Sequence, residues 1–244
     1  MSVRTIRILG AFIITASIVG CASLAESVAP AASPAASTSS APTASASAAA
    51  ASAASAPAAP AAGGDGELCA REFEPCPIPA GTYTTSTFEH PFTFTIDGDD
   101  WTNDRNWPHG GSMTKAGADS FLWASGVVSG RVGEETVEIG PAPADFMAHL
   151  AKFDGFTVSE PVPVTVDGVS GSQVDVLSND VQARGMFLMP EDAFNLAPNE
   201  KTRFLVLDKD GATVILFVES FDAATFDAFL ADVAQPILDG LTWE

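Results

Sequence analysis

TRFLVLDKDGATVILFVES, Thr202 to Ser220, carries the strongest strand pattern in the chain. Two runs rich in Val, Ile, Leu and Phe flank Asp210-Gly211. An Asp-Gly pair between such runs signals a tight two-residue turn, and a tight turn joins antiparallel strands. VPVTVDGVSGSQVDVLS, Val162 to Ser178, repeats the pattern around Asp167-Gly168. EHPFTFTID, Glu89 to Asp97, sets Phe92, Phe94 and Ile96 against Thr93 and Thr95, a strand with one buried face. SFLWASGVV, Ser120 to Val128, is apolar nearly throughout and reads as a central strand.

Two segments carry helical spacing instead. APADFMAHLAKFDG, Ala142 to Gly155, places Phe146, Leu150 and Phe153 on one stripe, with Asp145 in the first turn and Gly155 as the stop. DAATFDAFLADVAQPILDGLTW, Asp222 to Trp243, aligns Phe226, Phe229, Leu230 and Val233, with Asp222 as its N-cap and Pro236 breaking or kinking it. Hairpins with amphipathic helices predict an α+β fold, an antiparallel sheet covered by helices. VQARGMFLMPEDAFNLAPNE, Val181 to Glu200, reads as a long loop outside this pattern.

The layout TFTID followed by Trp101, a helix, VTVDGVSGSQVDV, RFLVLDKDGATVILFVES and a closing ILDGLTW resembles the Mog1/PsbP/LpqN-like group. It is also similar to secreted bacterial lipoproteins of that build. The resemblance covers about residues 80 to 244 and rests on turns and core positions. It implies a shared fold and a role in binding partners or ligands. It carries over no catalytic set.

The front of the chain speaks of location. Arg4 and Arg7 precede ILGAFIITASIVG, Ile8 to Gly20. This apolar run is shorter than the roughly 20 residues of a spanning helix, so residues 1–20 read as a secretion signal. IVGC, Ile18 to Cys21, then resembles the lipobox of bacterial lipoproteins, with isoleucine where leucine is commonest. That resemblance implies cleavage before Cys21, lipidation of its thiol and export to the outer face of a bacterial membrane. The alternative is an ordinary signal peptide cut near Ala22 to Ala25. Two or three acyl chains, at about 0.8 kcal/mol per buried methylene, suffice for a stable anchor. From Ala22 to Gly64 the chain is almost wholly Ala, Ser, Pro and Thr, a composition unable to offset its chain entropy. Residues 21–65 therefore read as lipidated cysteine plus tether, and 66–244 as one domain. The two remaining cysteines, Cys69 and Cys76, are expected to pair in an oxidising compartment.

Beyond residue 65 the chain holds nine Lys and Arg against 29 Asp and Glu. Such acidity repels phosphate backbones and argues against nucleic acid as a partner. The membrane, through Cys21, and a protein, peptide or glycan of the envelope are the expected partners. No cofactor or metal is implied. The carboxylates of IDGDDWTND, Asp97, Asp99, Asp100 and Asp104, lack calcium-loop spacing and suit turns. SMTK, Ser112 to Lys115, matches the S-x-x-K of penicillin-binding enzymes, but its glycine flanks read as a loop and no companion motif follows. His90, His109 and His149 match no metal spacing. No catalytic residue emerges. The candidate ligand platform is Asp104, Arg105, Trp107 and His109, with Trp101 assigned to the core. The leading expectation is a lipid-anchored binding or scaffolding protein of the envelope; an envelope enzyme and a carrier of an apolar ligand are the alternatives.

Overall fold

The structure, a computed structural model, describes residues 66–69 and 75–244. Cys21 and the stretches read as signal and tether lie outside the described residues.

The diagnostic hairpin forms as read. Strands β15 (Lys201–Lys209) and β16 (Ala212–Ser220) pair antiparallel from Lys201↔Ser220 to Lys209↔Ala212. Asp210 and Gly211 both take positive φ, 56° and 86°, the backbone that this turn requires. The Asp208 carboxylate accepts the Gly211 N–H at 2.9 Å and fixes the turn. Asp167 and Gly168 do the same, at 44° and 78°, between β11 (Val162–Val166) and β12 (Val169–Ser178).

These strands belong to a nine-stranded sheet. Its order runs β10 (Phe156–Val158), β12, β15, β16, β7 (Asp119–Ala124), β6 (Gly110–Lys115), β5 (Trp101–Trp107), β2 (Cys76–Ile78), with β11 beside β12 on the same edge as β10. SFLWA thus lies deep in the sheet, as its continuous apolarity implied. The middle strands are buried on both faces. Leu205, Leu207, Val214, Leu216 and Val218 point one way, and Phe204, Val206, Ile215 and Phe217 the other.

What covers those faces overturns the α+β expectation. The chain is mostly β, with seventeen strands among the described residues and two short helical segments. The first face is covered by a four-stranded sheet of β1 (Gly66–Glu67), β3 (Gly81–Thr84), β4 (Phe92–Ile96) and β17 (Thr242–Trp243) together with the closing helix. The second is covered by β14 (Ala193–Leu196), β13 (Arg184–Leu188), β8 (Ser129–Val132) and β9 (Glu135–Glu138), with one eight-residue helix, α1 (Pro143–Leu150). A Mog1/PsbP-like sheet with helical cover is therefore not the arrangement found. The physical reason is local. Val181–Glu200, expected as a loop, carries the β13–β14 hairpin, whose Met186, Phe187, Phe194 and Leu196 are core residues.

The closing helix departs from expectation too. It starts at Phe226 as α2 (Phe226–Phe229), opens into a π-helical turn at Leu230–Ala234, and resumes as α3 (Gln235–Asp239). Pro236 supplies no N–H to the ladder, and the wide turn sits directly before it. Asp222 accepts the Ala224 N–H at 3.0 Å and so caps the preceding turn; the helix N-cap is Thr225. At α1, Asp145 accepts the Ala142 N–H, and Phe146 and Leu150 enter the core.

Aromatic rings fill both layers. Phe92 stands edge-on to Trp123 at 5.6 Å, and Phe194 edge-on to Phe217 at 4.9 Å between centroids. His149 joins the second layer, its Nε2 2.8 Å from the Met186 carbonyl. Burial holds its pKa below the ordinary histidine value, so the neutral ring donates from Nε2. Gly130 lets the ring approach: a Cβ there would lie 2.2 Å from Nε2.

Candidate functional site

On the second face the aromatic layer gives way to a polar floor. Strand alternation puts Ser112 and Thr114 of β6, Ser120 and Leu122 of β7, and Glu219 of β16 side by side there. With Asp104 and Arg105 below and Asp192, Ala193, Phe194 and Asn195 opposite, they enclose a cleft of about 380 Å³. That is within the size range of small-ligand sites.

A β-bulge places the first two residues. Asn103 pairs with Met113 and Arg105 with Ser112, which leaves Asp104 as the extra residue of β5. Before the bulge, Trp101 and Asn103 face the first layer, where Asn103 donates to the Cys69 carbonyl at 2.9 Å. After it, Asp104 and Arg105 both line the cleft. The Thr114 hydroxyl donates to Asp104, and the Arg105 guanidinium pairs with Asp192 across the cleft.

At the floor, Glu219 is buried against Glu200, which is fully enclosed. Glu200 accepts the Ala197 N–H at 2.7 Å and the Thr202 hydroxyl at 3.3 Å. Burial, and then the negative charge of Glu200, push the Glu219 carboxyl well above the usual carboxylate range. Both effects favour the protonated form of Glu219, which donates toward Glu200, while the Ser120 hydroxyl and Arg105 act the other way. Ser112 differs from its neighbours. It is 7 % exposed and lines the cleft, and its hydroxyl, open to the cleft, bonds no other described residue. A hydroxyl that opens onto a cleft and bonds no protein group is free to bond a ligand.

The four platform residues do not converge on one site. Asp104 and Arg105 reach the cleft; Trp107 and His109 do not line it. Trp107 is buried, with the Arg105 guanidinium 5.4 Å from its ring centroid. His109 binds the tip of the β13–β14 hairpin, Nδ1 lying 2.7 Å from Glu191, while Nε2 lies 3.8 Å from Glu89. Trp101 is core. SMTK is a strand and not a loop, so Ser112 and Lys115 point to opposite faces, Lys115 lying over the Trp101 ring. The helical adjacency that S-x-x-K chemistry needs is absent. Asp97, Asp99 and Asp100 stay at the β4–β5 turn, where Gly98 and Asp100 have positive φ. Among the described residues no group of three or more His, Cys, Asp or Glu is placed to hold a metal. Cys69 and Cys76 lie at disulfide distance, with Cα atoms 6.6 Å apart.

The sequence reading placed Ser112 in a loop and missed Ser120, Asp192, Asn195, Glu200 and Glu219. One signal was present: Glu219 falls two residues after Phe217 and four after Ile215, on the face those residues bury. A larger recess of about 590 Å³ lies at Pro77–Pro79 and the Asp99–Trp101 turn, but prolines and turn residues line most of it. No family model matches the chain, and no curated protein matches it.

Proposed function

We propose that this protein is a lipoprotein of the bacterial cell envelope, held at the outer face of a membrane by lipid on Cys21, whose 66–244 domain binds a small polar ligand in the cleft beside β6. The lipobox-like IVGC and the Ala/Ser/Pro tether support the anchor. One observation carries the binding reading: Ser112, a residue only 7 % exposed, turns a hydroxyl that bonds no other described residue onto a preformed polar cleft.

Labelled palmitate tests the anchor: wild type takes up label and Cys21→Ser does not. Unlabelled wild type, or a labelled Cys21→Ser, refutes it. For binding, the full chain carrying Cys21→Ser is equilibrated with small molecules extracted from the envelope and examined by native mass spectrometry. A bound species that Ser112→Val releases supports the reading. No bound species, or one retained equally by Ser112→Val, contradicts it.

A further inference from the structure

The charges around the cleft discriminate among polar ligands. Arg105 is the one cation among its lining residues, and Asp192 on the opposite wall already neutralises it. Asp104 is met by the Thr114 hydroxyl, a neutral donor, so its negative charge is not balanced there. Glu219, at the floor, is in contact with Glu200 and feels Arg105; Asp104 and Asp192 share its cleft. Hydroxyls from Ser112, Thr114 and Ser120 line the same surface, and Phe194 and Phe221 are among the lining residues. The site therefore offers surplus negative charge, hydroxyl partners and two aromatic rings in its lining.

We propose that the cleft takes a small hydroxylated ligand carrying a protonated amine, its ammonium set against Asp104 and Glu219 and a hydroxyl on Ser112. This rests on the binding reading above. An ammonium donates to carboxylates and supplies positive charge, whereas an anionic ligand would meet Asp104 and Asp192 with Arg105 as the one cation in the lining. A ligand hydroxyl completes Ser112. Burying the ammonium beside Glu219 favours the ionised carboxylate, so binding expels the proton that Glu219 shares with Glu200.

The test uses the full chain carrying Cys21→Ser, titrated calorimetrically with glucosamine, glucose and glucuronate at mildly acidic pH. Glucosamine is expected to bind at least about 10-fold more tightly than either of the others, the scale of one charge-assisted hydrogen bond. Asp104→Asn removes that preference. Repeating the titration in buffers of different ionisation heat is expected to show on the order of one proton released. Glu219→Gln, which keeps a donor to Glu200, abolishes the release and serves if Asp104→Asn fails to fold. Glucose or glucuronate binding as tightly as glucosamine overturns the amine inference and leaves a polar-ligand site standing. Binding by none of the three also overturns it, and the envelope-extract experiment then judges the binding reading separately. Glucosamine binding unchanged by Asp104→Asn refutes the assignment.

Discussion

Glu219→Gln should change the pH dependence of stability in a way that packing alone does not produce. Glu219 is 6 % exposed and pairs across β15–β16 with Thr202, its carboxyl against Glu200. Burial and the Glu200 charge raise its folded-state pKa. The folded chain therefore keeps a proton that the unfolded chain has released once pH exceeds the ordinary glutamate value of about 4.3. A raised pKa contributes stability that is fully present below that value and is lost as pH rises through the folded-state value. One retained proton corresponds to a fall of about 1.4 kcal/mol per pH unit across that window. In Glu219→Gln the amide N–H takes the proton's place as donor to Glu200, and this contribution disappears. Urea denaturation at a series of pH values reads the effect directly. Wild type should lose stability with rising pH relative to the variant, so that the two curves converge or cross. His149 contributes the opposite slope, since its lowered pKa costs stability as pH falls below about 6.5, but it is common to both proteins and cancels in the difference. Parallel curves over the whole range, with unchanged m values, would refute the shared proton.

Phe217→Ala removes a ring that meets Phe187, Phe194 and Phe204 and should cost about 3–5 kcal/mol in chemical denaturation. Gly130→Ala would set a Cβ 2.2 Å from His149 Nε2 and 2.7 Å from the Met186 carbonyl; a loss of about 1–3 kcal/mol in the same assay is expected. Replacing Cys69 and Cys76 together by serine should lower stability by about 2.5 kcal/mol on the chain-entropy account of an eight-residue loop, measured against the oxidised protein.

The hairpins were legible because their turns carry their own chemistry. Asp167-Gly168 and Asp210-Gly211 occupy backbone conformations that few other pairs tolerate. The central position of SFLWA was legible because only a strand buried on both faces carries an unbroken apolar run. The fold class was not. Its cover consists of short strands such as SGRV and AFNL, too brief to display a period, and the sheets that hold them form through pairings remote in sequence. The π-helical turn likewise hides within a regular apolar stripe, betrayed only by Pro236. Of the candidate site, Asp104 and Arg105 were visible, because charged residues inside a Trp-flanked segment stand out. That both face one cleft depends on a bulge, a change of register that no local pattern announces. Glu200 was read as the end of a loop, and it acquires meaning only when β15 lies beside β16 and brings Glu219 to it.

The central claim is that the cleft floored by Ser112 and Glu219 is a ligand site. Native mass spectrometry of the full Cys21→Ser chain, after equilibration with small molecules from the envelope, tests it most directly when Ser112→Val is measured alongside. The account predicts a bound small molecule on the parent chain that the Ser112→Val chain does not retain. Equal retention by the two chains, or none by either, would contradict it.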